Sequence, residues 1–445
     1  MNNDQNPREA SGENADDFEA FMRKFLAGQG SLDPEQLADA AGLPKDAQTM
    51  AALLEQLKQA MSSLQADTAT SGVNWNLAIS QAKSIAHGGS SAITEEARKQ
   101  IQDAVAIGAL WLNEKTSMAE LTTEPKLLSR ELWIADAIPL FQALSQPVAN
   151  RMSEALSENL TQNVPEELAE IMGNASGILK TAGGAMFAMQ LGQSLGKLSH
   201  EVLAGGDIGL PIFKENRAAF VPQNVEKFVS GLEVDIDQAY IYLAVREMAH
   251  VRLFKHSKWL REAVVSQITK YAAEISIDNS KIVEIAEDFD PEKVDELKAA
   301  LESGAFIAER TEDQQRALDN IETLLALIEG WVETVTNEAT IRLPKAAAIA
   351  EAVRRRRATG GPAELTFGNL VGLELRPRAL REAAQMWSTV TQAVGVEKRD
   401  ALWDHPDVMP TAADIQNPQG LVDKLTGKGD QGDEIDKALR DLLGE

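Results

Sequence analysis

The chain has 445 residues, a formal net charge of −25 and no cysteine. The lack of cysteine excludes disulfides, thiolate metal ligands and cysteine nucleophiles, and the acidic balance argues against binding to nucleic acid or to an anionic membrane surface. The N-terminal residues are polar and lack the apolar segment of a signal peptide, and no stretch is long and apolar enough to span a bilayer. We therefore expect a cytoplasmic protein without a membrane span.

The order of polar and apolar residues predicts four regions along the chain. Residues 1–16 are expected to be disordered, and residues 17–70 to form an accessory region of short amphipathic helices, since apolar side chains recur there every three or four residues. A loop rich in Thr, Ser and Gly then leads into the main helical domain, residues 73–410. Residues 411–445 are expected to form a flexible polar tail with a short terminal helix, EIDKALRDLL.

Within the main domain almost every periodic segment has the pattern of a helix. The predicted helices span residues 95–112, 127–143, 147–162, 165–203, 222–232, 236–257, 258–278, 292–303, 312–339 and 377–396. Residues 218–222 are one of few places that fit a short strand. The run Arg354–Arg357 closes a further helix, and we interpret it as a solvated helix end whose cations complement the helix dipole. The sequence thus predicts a mainly α, multi-helical single large domain with little strand.

The helix predicted at residues 236–257 carries the most informative motif, Arg246-Glu247-Met248-Ala249-His250. The zincin signature H-E-x-x-H places two histidines on one helix face, where both bind zinc, and its Glu serves as general base. Here Glu247 and His250 are present, whereas Arg246 occupies the position of the first histidine. All three share one side of the helix. Because E-x-x-H occurs by chance in many helices, the motif alone is weak support for a metal site.

A zincin also needs a third ligand, and Glu329 is the best candidate. It lies in the apolar segment LIEGW, where a carboxylate needs a charged partner; the alternative is the exposed edge of an amphipathic helix. Glu333, one turn later, is a weaker candidate for the same cluster. Trp331 either lines a cleft beside Glu329 or packs in the core, and core packing is the interpretation that we favour.

His256 has the spacing from His250 of the third metal ligand in the metzincin motif. That motif contains a glycine that breaks the helix, and the corresponding residue here is Leu253. On an uninterrupted helix, six residues turn His256 roughly 240° away from His250. We therefore interpret His256 as a surface or helix-end histidine, and a role as metal ligand is the weaker alternative.

Several long segments resemble a zincin-like hydrolase family found mainly in actinobacteria. They are EVLAGGDIGLPI, YLAVREMAHVRLFKHSKWL, ALIEGWVETV, GGPAELTFGNLVGLELRPRALREAAQMW and RDALWDHPDVMPTA, and the resemblance runs from about Val73 to Pro410. Members are commonly labelled zinc-dependent metalloproteases, and a sister group associated with deazaflavin-coenzyme biosynthesis keeps the full H-E-x-x-H. The resemblance implies a mostly helical, gluzincin-like fold with Glu247 as general base and with His250 and Glu329 as zinc ligands.

Arg246 separates two hypotheses about function. A guanidinium stays protonated and cannot ligate zinc, but it can hold Glu247, Glu329 and Glu333 in a buried ion cluster. The first hypothesis, which we favour, is a pseudo-zincin without metal that acts as a binding or scaffold protein for an unknown protein or peptide. The second is an active zinc-dependent metallopeptidase in which His250 and Glu329 hold zinc and Glu247 activates water.

The segment Gly192-Gln193-Ser194-Leu195-Gly196 matches G-x-S-x-G, the nucleophile elbow of serine hydrolases. An elbow needs a strand before the serine and a helix after it. The residues before Ser194 have a helical pattern, and no series of buried strands is evident. A serine hydrolase is therefore a remote alternative, and a helix interface formed by small residues is preferred.

Overall fold

The computed structural model describes residues 73–162, 184–185, 187–210, 212–213, 215–276, 308–358 and 379–427. Residues 1–70, the helix predicted at 292–303 and the terminal helix EIDKALRDLL lie outside the described residues, and what the sequence predicts for them stays a prediction. The chain divides into two compact units. The first comprises Met1–Asn76 and Met152–Ala188, and the second comprises Leu77–Arg151 and Met189–Glu445. The second unit contains all the candidate site residues.

Helices account for most of the described chain. They are α1 Trp75–His87, α2 Glu95–Asn113, α3 Arg130–Gln162, α4 Pro222–Ser230, α5 Ile236–His256, α6 Trp259–Ala273, α7 Glu312–Ala339, α8 Ala346–Ala358, α9 Leu380–Ala401, α10 Ala412–Gln416 and α11 Pro418–Thr426, with a further helical segment at 187–199. Two strands of two residues, β1 Lys126–Leu127 and β2 Ala219–Phe220, pair in parallel. The prediction of a mainly α fold with little strand is confirmed. None of the described helices is long and apolar enough to cross a membrane.

Helices α5 and α7 form the centre of the second unit. Almost every residue of α5 from Ala239 to Phe254 is buried, and α7 is buried around its whole circumference from Leu324 to Thr336. A helix that is apolar on all sides is expected to be surrounded by others. Accordingly, α5 contacts α2, α4, α7 and α8, while α7 also contacts α6 and α9. This packing brings the helix with the zincin-like motif against the helix that carries Glu329.

Local sequence signals explain where α7 begins and how α9 packs on it. The hydroxyl of Thr311 accepts a hydrogen bond from the N–H of Gln314 at 3.1 Å, and the Gln314 side chain accepts one from the N–H of Thr311 at 2.9 Å, which forms a capping box. Further along α7, a Cβ added to Gly330 would lie 2.8 Å from the Cβ of Ala383 on α9. The glycine that follows Glu329 therefore permits the close approach of α9.

Helix α3 is longer than predicted. It runs unbroken over Arg130–Gln162, whereas the sequence predicts two helices with a break before Pro147. Pro139 and Pro147 each remove one backbone hydrogen bond from the helix. The burial of Trp133 and Phe141 on the same helix stabilises it against that loss. The break predicted between residues 143 and 147 is therefore wrong.

The C-terminal part of the described chain is helical up to residue 426. Helix α9 continues beyond the predicted end at 396 through a kink at Gly395, whose φ of 81° is a conformation that glycine adopts readily. Helices α10 and α11 pack against α9, so the first part of the segment predicted as a tail is helical and packed. The remainder, from residue 428, lies outside the described residues.

Candidate functional site

An ion pair joins the two central helices. Nη2 of Arg246 on α5 lies 2.5 Å from Oε2 of Glu329 on α7, and the Arg246 side chain is only 12% exposed. Glu329 is 2% exposed, which is a buried position and not the exposed edge of a helix. Nε2 of His250 lies 3.8 Å from the second oxygen of Glu329, Oε1. These three residues are called the Arg–Glu–His cluster below.

Glu247 is held to the backbone through both of its carboxylate oxygens. The N–H of Gly206 donates to Oε2 at 2.9 Å, and the N–H of Ala219 in β2 donates to Oε1 at 3.1 Å. Burial raises the pKa of Glu247 to about 7, and the charge of Asp207 adds to this effect, whereas the two N–H donors and Arg246 oppose it. The side chain therefore connects the loop at Gly206 to β2 beneath α5.

Glycines allow this loop to lie directly on the cluster. A Cβ added to Gly206 would lie 2.5 Å from Nδ1 of His250, and one added to Gly205 would lie 2.9 Å from Oε1 of Glu247. A Cβ added to Gly209, whose φ is +86°, would lie 3.6 Å from Oε1 of Glu329. No other residue type fits at Gly206 without a shift of the backbone or of His250. The segment GGDIG, residues 205–209, falls between the predicted helices 165–203 and 222–232, but nothing in its sequence indicates that it covers the site.

An arginine from α8 fixes the same loop. Nη1 of Arg356 lies 2.8 Å from Oδ2 of Asp207, and the second guanidinium nitrogen, Nη2, donates to the carbonyl oxygen of Glu201. The N–H of Leu203 also donates to Oδ2 of Asp207, at 2.9 Å. The interpretation of Arg354–Arg357 as a wholly solvated helix end is therefore wrong for Arg356. Helix periodicity shows which cations share a face, but not which loop folds over them.

The charge of Arg246 is kept in place by its surroundings. Burial by itself lowers the pKa of Arg246, but the negative charge of Glu329, together with Tyr242, Asp207 and Glu333, raises it above its ordinary value. The guanidinium therefore stays protonated, as is usual for arginine. Oε1 of Glu333 lies 3.7 Å from Nε of Arg354 on α8, so the ion pair of Glu333 is with Arg354.

The remaining predicted residues lie away from the cluster. Nε2 of His256 contacts Oδ1 of Asp404 at 2.7 Å in a partly exposed position. Trp331 is fully buried, and its Nε1 donates to Oδ1 of Asp400 at 3.0 Å, so it packs in the core as the sequence favours. The polar contacts of His256 and Trp331 are therefore with Asp404 and Asp400, and not with His250 or Glu329.

Ser194 lies inside the helical segment 187–199. Helical residues precede and follow it, so the strand-to-helix turn that an elbow requires is not formed there. A Cβ added to Gly192 would lie 2.5 Å from the carbonyl oxygen of Ala78, and one added to Gly196 would lie 2.7 Å from the Cβ of Ile85. The two glycines thus form a close interface with α1, which is the interpretation preferred from the sequence.

A model of the zincin-like metallopeptidase family matches residues 73–422. The chain belongs to this family. The fold is also similar to a crystal structure from Chloroflexus aurantiacus, described as a "putative hydrolase with a novel fold": the TM-score is 0.56 at 18% identity, over 80% of this chain and 99% of the other. At this identity the likeness concerns the fold alone. No curated protein matches the chain.

The family implies zinc, and the side chains around Arg246 can be compared with what zinc requires. A catalytic zinc site uses three protein ligands and one open position. Among the described residues no group of three His, Asp or Glu side chains is arranged to hold a metal ion. His250 and Glu329 supply two donors, while both oxygens of Glu247 accept backbone N–H groups and Arg246 brings a cation. This donor set does not fit a zincin zinc centre.

Proposed function

We propose that this member of the zincin-like metallopeptidase family is a pseudo-zincin, in which the Arg–Glu–His cluster takes the place of the metal centre. The protein then acts as a binding or scaffold protein for a protein or peptide partner. The observation that carries the proposal is the 2.5 Å ion pair between Arg246 and Glu329. It stands where the first histidine of H-E-x-x-H would approach a metal.

The charges at the site support this proposal. A buried carboxylate is stable only with a cationic partner, and in a zincin that partner is the metal. Here the Arg246 guanidinium supplies a positive charge to Glu329 directly. A zinc ion bound by His250 and Glu329 would lie beside this guanidinium, and the two positive charges would repel each other in a buried site of low dielectric.

The position of Glu247 supports a structural role in place of general base catalysis. A general base must be within hydrogen-bond reach of the water that it activates. Each Glu247 oxygen instead accepts a backbone N–H, from Gly206 and from Ala219. In the proposal, Glu247 holds the Gly205–Gly206 loop against His250, and no hydrolytic step is assigned to it.

The zinc content of the purified protein tests the proposal. We expect wild-type protein purified without chelator to contain far less than one zinc per chain by inductively coupled plasma mass spectrometry. The Arg246→His substitution completes H-E-x-x-H, removes the cation and provides a third donor, so this variant is expected to approach one zinc per chain. Added zinc should then raise its Tm, because a ligand that binds only the folded state stabilises it.

The His250→Ala variant is the control for site-specific metal. Near-unit zinc in the wild type that disappears in His250→Ala would contradict the pseudo-zincin proposal. It would favour the alternative of an active zinc metallopeptidase with His250 and Glu329 as ligands and Glu247 as base. Zinc that persists unchanged in His250→Ala must be bound away from His250. That result would agree with an Arg–Glu–His cluster that holds no metal.

A further inference from the structure

A cavity of about 580 Å³ lies on the other side of α5 from the Arg–Glu–His cluster. Its walls come from α2, from the chain around β1 and β2, and from Met248 and Arg252 of α5. Met248 and Arg252 are four residues apart and share a helix face. That face is turned roughly 200° from His250, at 3.6 residues per turn. The cavity is therefore a separate site, and its volume is within the range of about 300–1,000 Å³ that is typical of small-molecule pockets.

Arg252 is the unusual residue of this cavity. It is 1% exposed, and among the described residues its Nε, Nη1 and Nη2 have no hydrogen-bond partner. An arginine carries five N–H donors and is almost never buried without acceptors for them. The negative charge of Glu120 acts on Arg252, but a buried guanidinium whose N–H groups have no acceptor still destabilises the fold. An acceptor with negative charge in the cavity would supply the missing interaction.

The other cations of the cavity already have partners. Nζ of Lys126 lies 2.6 Å from Oδ2 of Asp136, Nε of Arg98 lies 3.5 Å from Oε1 of Glu95, and Nε of Arg217 donates to a carbonyl oxygen at 2.7 Å. These cations together with Arg252 face two rim carboxylates, Glu120 and Glu124. With Asp136 and Glu95 counted, the charges around the cavity balance. Arg252, whose N–H groups have no acceptor, is therefore the group that favours an anion in this cavity.

The rest of the lining is apolar. It includes Val105 and Ala109 of α2, Leu127 of β1 and Met248 of α5. Pockets that combine apolar walls with a few placed polar groups bind ligands that have an apolar body and one oriented polar end. We propose that this cavity binds a small organic anion in which a carboxylate is joined to an apolar body, with Arg252 as the anchor of the carboxylate. This site does not depend on whether the Arg–Glu–His cluster holds zinc.

Titration calorimetry on the full-length protein tests the proposal with two acids and their neutral amides. Octanoate represents a fatty carboxylate and N-acetyl-leucine a peptide C-terminus; octanamide and N-acetyl-leucinamide keep the apolar body without the charge. We expect at least one acid to bind, and its amide to bind about 10- to 100-fold more weakly, as for loss of a charge-assisted hydrogen bond. Binding of octanoate would indicate a fatty acid as the ligand, and binding of N-acetyl-leucine would indicate a peptide C-terminus. Equal affinity of acid and amide, or no binding of either acid at millimolar concentration, would overturn the proposal.

Three variants locate the binding. Arg252→Met is expected to lower the affinity for the acid to that for the amide. Its Tm is expected to be at or above that of the wild type, because an apolar side chain replaces a buried guanidinium whose N–H groups have no acceptor. Glu120→Gln removes a competing carboxylate of the rim and is expected to strengthen binding of the acid. Arg316→Met, at an exposed position on α7, makes the same charge change away from the cavity and is expected to bind like the wild type.

The variants also separate a binding role of Arg252 from a structural one. A folded Arg252→Met protein that binds the acid as tightly as the wild type would refute the assignment of Arg252 as anchor. A fall of its Tm by several degrees would show that Arg252 stabilises the fold through its own contacts, which also counts against the proposal. The comparison of acid with amide uses wild-type protein alone, so it stands even if a variant fails to fold.

Discussion

Buried ion pairs are sensitive to the loss of one partner, and Arg246–Glu329 is such a pair. We expect Arg246→Met to lower the free energy of unfolding by about 3–5 kcal/mol, because it leaves the Glu329 carboxylate buried without a cation. The double variant Arg246→Met/Glu329→Met removes both charges and is expected to recover much of that loss. Urea unfolding of the two single variants and the double variant, analysed as a double-mutant cycle, measures the coupling.

An exposed pair provides the matched control. Arg342 lies 2.8 Å from Glu114, with both side chains about half exposed. Arg342→Met makes the same chemical change as Arg246→Met, but an exposed pair contributes only about 0–1 kcal/mol. Similar losses in the two arginine variants would mean that the Arg246–Glu329 pair has no special role in the buried site.

The raised pKa of Glu247 predicts a particular dependence of stability on pH. The pKa of this carboxyl is about 7 in the folded protein, against 4.5 for an ordinary Glu. Between these values the folded state holds a proton that the unfolded state has lost, so the stability contributed by this group is complete below pH 4.5 and falls as the pH rises towards 7. Over that window the loss is on the order of 2–3 kcal/mol.

The Glu247→Gln variant isolates this group from the other titrating residues. Its free energy of unfolding is expected to change less between pH 5 and 7 than that of the wild type, as measured by urea unfolding at several pH values. Since all other groups are shared, the difference between the two proteins reports Glu247. Parallel curves for the two proteins would show that the pKa of Glu247 is not raised.

At the scale of elements, the loop over the cluster depends on the absence of a side chain at Gly206. A methyl group there would lie 2.5 Å from Nδ1 of His250, so Gly206→Ala is expected to destabilise the protein by about 1–3 kcal/mol through overpacking. Gly231, after α4, has no atom within 4 Å of an added Cβ. Thermal unfolding of Gly231→Ala is therefore expected to stay within about 0.5 kcal/mol of the wild type. Equal effects of the two substitutions would contradict the close contact of the loop with His250.

The central helices were predictable, because each is long and strongly patterned. The sequence predicts 236–257 and 312–339, and the structure has α5 at Ile236–His256 and α7 at Glu312–Ala339. The sequence links Glu329 to Arg246 only as part of one hypothesis, in which Arg246 holds Glu247, Glu329 and Glu333. The structure pairs Arg246 with Glu329, whereas Glu247 accepts two backbone N–H groups and Glu333 lies near Arg354. The approach of the loop at Gly206 was not predictable, since loop contacts follow no period. The same holds for the contact of Arg356 with Asp207.

At the scale of the whole molecule, negative charge at the surface coexists with buried cations. The chain carries 43 Lys and Arg against 68 Asp and Glu, yet two arginines of α5 are enclosed: the Arg246 side chain is 12% exposed, and Arg252 is 1% exposed. Net charge therefore describes solubility and long-range attraction, and says little about individual sites. The zincin-like motif indicates a function for Arg246. No sequence pattern indicates the cavity at Arg252, which forms only where α2 and the strands meet α5.

Ala218 and Ala219 are neighbours in the chain but face different sites. Ala218 lines the cavity, and the N–H of Ala219 donates to Glu247. A ligand that displaces this dipeptide changes the proton affinity of Glu247, and protonation of Glu247 must then change the affinity for that ligand by the same factor, because linkage between two binding events is reciprocal. The peptide unit between Ala218 and Ala219 is thus a physical link between the cavity and the carboxylate of Glu247.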